Sequence, residues 1–255
     1  MLYNQTLEQL SELHLNGMVK AYREVDKNDS WQELSFDERL AFLVNEEYER
    51  RMNNRVKRRI TEAKFKQPAQ LSDIIYDHER NLNKDFIARL STHQWIKNHE
   101  NIVITGATGT GKSFLAQALG NDACRHDYRV RYYRLGELLS DLKFGKDANI
   151  YNKIRGKLQR QDILILDDWG LAELDIPSGY EISEIIEDRL HTSSTIVVSQ
   201  FPIDTWDRIF EDKTTADAVM DRLISMAYTI DLKGPSLRSK AASPELREYK
   251  ESMIK

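Results

Sequence analysis

One eight-residue run constrains this chain more than any other. Gly106-Ala-Thr-Gly-Thr-Gly-Lys-Ser113 satisfies G-x-x-x-x-G-K-[ST] at every position. The order has a physical reason. Glycines let the backbone curl so that successive N–H groups point inward at phosphate oxygens. The helix that follows adds its positive N-terminal end. Lys112 is placed to reach the β- and γ-phosphates, and the Ser113 hydroxyl to ligate Mg²⁺. The context agrees, with apolar Ile102–Thr105 running in and a helix face of Phe114, Leu115, Ala118 and Leu119 running out. The expected nucleotide contacts are therefore Gly106, Ala107, Thr108, Gly109, Thr110, Gly111, Lys112, Ser113 and Phe114.

A second motif completes such a site. Ile163-Leu-Ile-Leu-Asp167-Asp168 is an apolar run ending in two acids. It reads as a buried parallel strand whose C-terminal end is where such sheets place ligands. Asp167 is the candidate Mg²⁺ ligand, and Asp168 the carboxylate that polarises the attacking water. Other short apolar runs alternate with helical patterns: Val130–Arg134, Thr195–Ser199 and Tyr228–Leu232. This alternation predicts an α/β core with a parallel sheet covered by helices. The Thr195 run ends in Ser199 and Gln200, either of which could hydrogen-bond near a γ-phosphate. Arg222 and Arg238 are further candidates, since an arginine aimed at a γ-phosphate stabilises transition-state charge.

Residues 1 to about 70 read as a small helical domain, and residues 71–255 as the ATPase domain. Thr6-Leu-Glu-Gln9 and Ser35-Phe-Asp-Glu38 have the form of capping boxes that open helices. From the second, Leu40, Val44, Tyr48, Met52, Val56 and Ile60 recur every four residues, and Pro68 ends the pattern. Charge divides this region: residues 1–49 carry −7 and residues 50–66 carry +7. In the basic part Arg51, Arg55 and Arg59 form one helix row, with Arg58 beside them. A second basic stretch holds Lys143, Lys146, Lys153 and Arg155. Both are candidate contacts for a nucleic-acid backbone, which such cations grip without reading sequence.

The whole-chain charge of −4 says nothing about nucleic acid by itself. A lone cysteine, Cys124, excludes an intrachain disulfide and fits a reducing compartment. The six histidines show no metal-ligand spacing with one another or with Cys124. The start lacks a basic segment followed by an apolar run, and no stretch approaches the roughly 20 apolar residues that span a bilayer. The expectation is a bacterial cytoplasmic protein with no membrane partner.

Taken together, the phosphate loop, Ile163–Gly170 (ILILDDWG), Ser199-Gln200, VMDRL (219–223) and Leu232-Lys-Gly-Pro-Ser-Leu-Arg238 resemble the IstB-like ATP-binding proteins. These are AAA+ transposition helpers of bacterial insertion sequences, related to the DnaC helicase loader and the DnaA initiator. The resemblance covers essentially the whole chain. It implies a parallel sheet in the order 5-1-4-3-2 and no full C-terminal lid, since 17 residues follow Arg238. It implies that Arg222 is a finger reaching into a neighbouring subunit's ATP, and Arg238 a sensor in its own site. AAA+ proteins usually carry glutamate where Asp168 stands; Asp-Asp is typical of this family.

The function so implied is a DNA-stimulated ATPase using ATP and Mg²⁺. It self-assembles on duplex DNA, selects or remodels a target and recruits an IstA-type transposase. The alternative is a DnaC-like helicase loader, and a third reading is an ATP-dependent scaffold that barely hydrolyses.

Overall fold

The computed structural model describes residues 2–25, 31 and 33–237. The chain divides into two compact units, Met1–Arg58 and Arg59–Lys255.

The first unit is helical: α1 (Leu2–Glu12), α2 (Asn16–Val25) and the start of α3 (Phe36–Ala63). The Ser35 box forms as the sequence predicts. The Glu38 carboxylate accepts from the Ser35 amide at 2.8 Å, and the Ser35 hydroxyl accepts from the Glu38 amide at 3.3 Å. The Thr6 box does not. Helix α1 begins at Leu2, so Thr6 lies inside it, and its hydroxyl donates back to the Leu2 carbonyl at 2.9 Å. A threonine within a helix bonds to the preceding turn in this way and cannot cap. The fourfold row on α3 is also divided. Leu40, Val44 and Tyr48 are exposed, whereas Met52, Val56 and Ile60 are half-buried.

A buried carboxylate joins α2 to α3. Glu47 accepts from the Gly17 amide at 2.6 Å and from Arg50 and Arg51, each at 2.6 Å. A Cβ on Gly17 would press to 2.6 Å against the Glu46 carbonyl oxygen, so the close approach requires glycine.

The second unit is built on a five-stranded sheet, all parallel: β1 (Asn101–Gly106), β2 (Val130–Arg134), β3 (Ile163–Trp169), β4 (Ser194–Ser199) and β5 (Ala227–Leu232). All five expected strands are present, in the order 5-1-4-3-2 that the family resemblance implied. Both faces are covered. Ile102, Ile104, Ile163, Ile165, Ile196 and Val198 point into one core with α6 (Lys112–Arg125). Their neighbours Val103, Leu164, Leu166 and Val197 point into the other. That second core is shared with α7 (Leu135–Asp147), α8 (Tyr151–Gln159), α9 (Ile176–Arg189) and α10 (Lys213–Ile224). Period-two side chains buried on both sides explain why these strands read as unbroken apolar runs. Two short helices, α4 (Lys84–Leu90) and α5 (Gln94–Lys97), precede β1. Among the described residues no helix is long and apolar enough to cross a membrane.

Arg189 locks β4 to the end of α8. It is 2% exposed and donates to the carbonyls of Leu158, Gln161 and Ser194 and to the Thr195 hydroxyl.

The Glu47 cluster gives a pH-dependent prediction. The Arg50 guanidinium, then Arg51 and the Gly17 amide, hold the Glu47 carboxyl down from 4.5 to about 2. A depressed carboxylate stabilises the fold above its unfolded value and loses that contribution as pH falls through the folded value. Glu47→Gln should therefore melt below the parent at neutral pH. The gap should close between pH 4.5 and about 2 in circular dichroism melts of the full chain.

Candidate functional site

The site forms where β1 ends. Gly106, Gly109 and Gly111 take positive φ of 137°, 86° and 91°, a region side chains avoid. A Cβ on Gly106 would collide with the Leu232 carbonyl of β5, so packing as well as dihedral demands glycine there. The loop turns at Ala107, whose carbonyl accepts from the Thr110 hydroxyl at 2.8 Å and from Lys112 Nζ at 2.8 Å. Lys112 opens α6 and is 7% exposed. Loop, Ser113 and Phe114 line a cavity of about 360 Å³ together with Asp167, Asp168, Ser199, Gln200 and Leu237. That volume falls within the range of small-molecule sites, about 300–1,000 Å³.

The two acids reach the cavity because β3 breaks its pairing there. The ladder with β4 runs from Ile163 to Leu166 and resumes, shifted, at Trp169 opposite Ser199. Asp168 adopts φ of 60° and Gly170 of 84°. Asp167 is 3% exposed; one oxygen accepts from the Tyr132 hydroxyl at 2.7 Å, the other from the Asp168 amide at 2.8 Å. Asp168 is half-buried and faces Arg134, whose Nε lies 3.3 Å from Oδ2. Partial burial, and then the neighbouring Asp167 charge, push the Asp168 carboxyl above its ordinary value. Tyr132 and Arg134 escaped the sequence reading. The available signal was a tyrosine and an arginine closing a buried strand next in the sheet to the Asp-Asp strand.

The two polar residues that end β4 behave differently. The Ser199 hydroxyl is buried, donating to the Trp169 carbonyl at 2.8 Å and accepting from the Phe201 amide at 3.0 Å. The Gln200 carbonyl oxygen accepts from the Thr108 hydroxyl in the phosphate loop at 2.6 Å.

A segment before the sheet, also unforeseen, backs the loop. Arg80 is 5% exposed, donates to the Thr110 carbonyl at 2.7 Å and also reaches the Ile75 carbonyl. With Ile74, Ile75, Leu82, Phe114 and Leu237 it encloses a second hollow of about 160 Å³, sharing Gly111, Phe114 and Leu237 with the first. The pair suits a ligand with an anionic and a flat apolar part. After β5 the Leu237 amide donates to the Gly109 carbonyl at 2.9 Å. Arg238 lies outside the described residues.

Arg222 is not in this cavity. It sits near the end of α10, where its carbonyl accepts from Asn101, the first residue of β1. The phosphate loop follows the last residue of β1, so the two lie at opposite ends of the sheet. Its guanidinium bonds Glu187 of α9 and the Ala218 carbonyl.

The IstB-like ATP binding protein family matches residues 8–244. The chain belongs to that family. An insertion sequence ATP-binding protein of Sinorhizobium fredii is 39% identical over 93% of this chain and 97% of its own. The insertion sequence IS1162 ATP-binding protein of Pseudomonas fluorescens is 38% identical over 80% of this chain and 89% of its own. Among solved structures, DnaI superposes with a TM-score of 0.57 at 21% identity, over 70% of this chain and 98% of its own. AMPPCP-bound DnaA of Aquifex aeolicus gives 0.58 at 19%, over 73% of this chain and 60% of that longer one. At such identities the likeness is one of fold: this IstB-like chain has the AAA+ fold of the DnaA and DnaC group.

The candidate DNA cations differ in their surroundings. Arg59 pairs with Asp127 at 2.5 Å and Arg51 with Glu47; Arg51, Arg55 and Arg58 are all exposed, and Arg55 and Arg58 also interact within the chain. Arg155 is tied to Asp188 and Glu184, which raise its pKa, and Lys146 to Glu181, all on α9. Lys143 and Lys153 are exposed. Sequence alone could not reveal acids placed opposite by the fold.

Lys112→Ala removes the one lysine at the loop and should abolish ATP binding by a fluorescent-analogue titration, with the fold unchanged. Unaltered affinity would rule the loop out as the phosphate site.

Proposed function

We propose that this IstB-like protein is a Mg²⁺-dependent ATPase that assembles on duplex DNA, selects or remodels a target and stimulates an IstA-type transposase. The observation that carries the reading is the separation within one chain. The phosphate loop and the two acids stand at one end of the sheet, and Arg222 at the other. With Arg222 as the finger, a second copy completes the site, which places ATP between subunits.

Within that site the loop amides and Lys112 hold the β- and γ-phosphates; to do so Lys112 gives up the Ala107 carbonyl. Ser113 and Asp167 are the residues that would hold Mg²⁺, and the buried Asp167 is kept in place by Tyr132. Held by these two residues, Mg²⁺ would supply positive charge to offset that of the phosphates. The Asp168 carboxylate orients the attacking water once it turns from Arg134. Gln200, already bonded to the loop through Thr108, is better placed than the occupied Ser199 to sense the γ-phosphate. The hollow beside Phe114 suits the adenine, and Arg238 remains a candidate sensor. Exposed Lys143 and Lys153, with Arg55 and Arg58, offer each subunit a few phosphate contacts, and a row of subunits sums them into avidity.

The relatives favour this over helicase loading. Proteins named for insertion sequences match at 38–39% over most of their lengths, whereas DnaC matches at 20%.

Light scattering should find small particles without ATP and large ATP-dependent assemblies on duplex DNA. Salt should weaken these steeply, because each neutralised phosphate releases counterions. Asp168→Asn should hold ATP and stay assembled with turnover lost. Arg222→Ala should bind ATP but neither assemble well nor hydrolyse. Mixing the two should restore part of the ATPase rate, since some interfaces pair an intact Asp168 with an intact Arg222. A dead mixture of co-assembled subunits would refute the shared site, and so would normal hydrolysis by Arg222→Ala alone.

A further inference from the structure

The far end of α6 carries a cluster that nucleotide chemistry does not use. Asp122 lies in the last turn of α6, and His126, four residues on, is the first residue past the helix. His93, from the turn between α4 and α5, comes over them. Its Nε2 lies 2.9 Å from Asp122 Oδ2, and His126 Nδ1 lies 3.8 Å from Asp122 Oδ1. The two imidazole rings stand 4.3 Å apart. One ligand atom from each of the three residues falls within 4.8 Å of the others. We propose that His93, Asp122 and His126 form a site for a divalent transition metal of the zinc class, remote from the phosphate loop.

The chemistry of the donor set selects the ion. Two imidazoles and one carboxylate suit zinc and its neighbours, whereas Mg²⁺ prefers an all-oxygen shell. Around an ion with bonds near 2.0–2.1 Å, tetrahedral ligand atoms sit about 3.3 Å apart. The three ligand atoms, within 4.8 Å of one another, at their widest stand beyond that spacing, and turning His126, whose side chain is 56% exposed, closes the gap. His93 is preorganised. It is 7% exposed and holds a left-handed φ of 60°, a costly conformation for a residue with a side chain. Burial keeps its ring below the usual histidine value, against the pull of Asp122. The nearby Lys97 and His126 charges act in the same direction, and an ion must tolerate Lys97. Three protein ligands leave the fourth position to water.

The His126 Nδ1 contact to the Asp122 carbonyl, at 2.9 Å, is given up when that nitrogen ligates. In return the ion ties the segment entering β1 to the last turn of α6. The helix itself spans about 20 Å from Lys112, so this site and the phosphate loop occupy its two ends.

The test uses the full chain without a histidine tag, stripped with chelator and assayed in excess Mg²⁺. Calorimetry with Zn²⁺ should give one equivalent bound, and Co²⁺ should give visible ligand-field absorption. Zn²⁺ should also raise the melting temperature. His126→Ala alters an exposed side chain and so should fold. It should weaken Zn²⁺ at least about tenfold and erase the Co²⁺ spectrum. Asp122→Asn should behave alike, and His191→Ala, at an exposed histidine elsewhere, should match the parent. No stoichiometric binding by the parent, or equal binding by His126→Ala, overturns the site. In that event Asp122 serves to orient His93 alone.

Discussion

Parallel pairing of β3, β4 and β1 is the constraint from which the candidate site follows. The three strands are buried on both faces and held in register, so their C-terminal ends emerge side by side. Asp167 stays paired with Arg134 of β2, but neither acid pairs with β4. The shift between Leu166 and Trp169 ends the pairing two residues early and turns both acids toward the loop. Trp169, fully buried, then re-anchors the strand opposite Ser199, and this is what occupies the Ser199 hydroxyl. One irregularity thus turns the carboxylates to the cavity and leaves Gln200, just past β4, bonded to Thr108 of the phosphate loop.

A second theme is the company kept by charges at the surface. Arg134 faces Asp168, Arg222 faces Glu187, and Arg155 faces Asp188 and Glu184. Helix α9 supplies most of these acids, so it neutralises cations on both α8 and α10. Exposed pairs of this kind are individually weak, and a phosphate can compete for the arginine. Any partner that engages these cations therefore draws on interactions already made within the chain.

Some of this was legible in the amino acids, and the reason is locality. The phosphate loop is fixed by glycines whose dihedrals other residues rarely adopt, so its pattern survives as text. The inner strands β1, β3 and β4 were legible because double-sided burial makes their centres apolar, whereas the edge strands β2 and β5 keep polar positions such as Arg131, Thr229 and Asp231. The strand order was implied by the family resemblance. What could not be read depends on residues distant in sequence. Arg59 meets Asp127 across 68 positions, and His93 meets Asp122 across 29. Arg80 supports Thr110 from a stretch with no motif of its own. The Leu40, Val44 and Tyr48 row shows a further limit: periodicity announces a helix but not whether anything covers its face. Thr6 shows the converse, since a capping pattern carries no weight once the helix starts a turn earlier.

The stitching of the chain after β5 has a mechanical consequence. The Lys233 amide donates to the Arg80 carbonyl, and the Leu237 amide to the Gly109 carbonyl. Gly106 is pressed on Leu232 from below. Tension applied beyond Leu237 therefore arrives at the phosphate loop through the Leu237 amide and its bond to the Gly109 carbonyl, without first passing through the sheet. The loop is in effect the bearing of a short lever. Whatever pulls on that end of the protein pulls directly on the backbone that would hold the nucleotide.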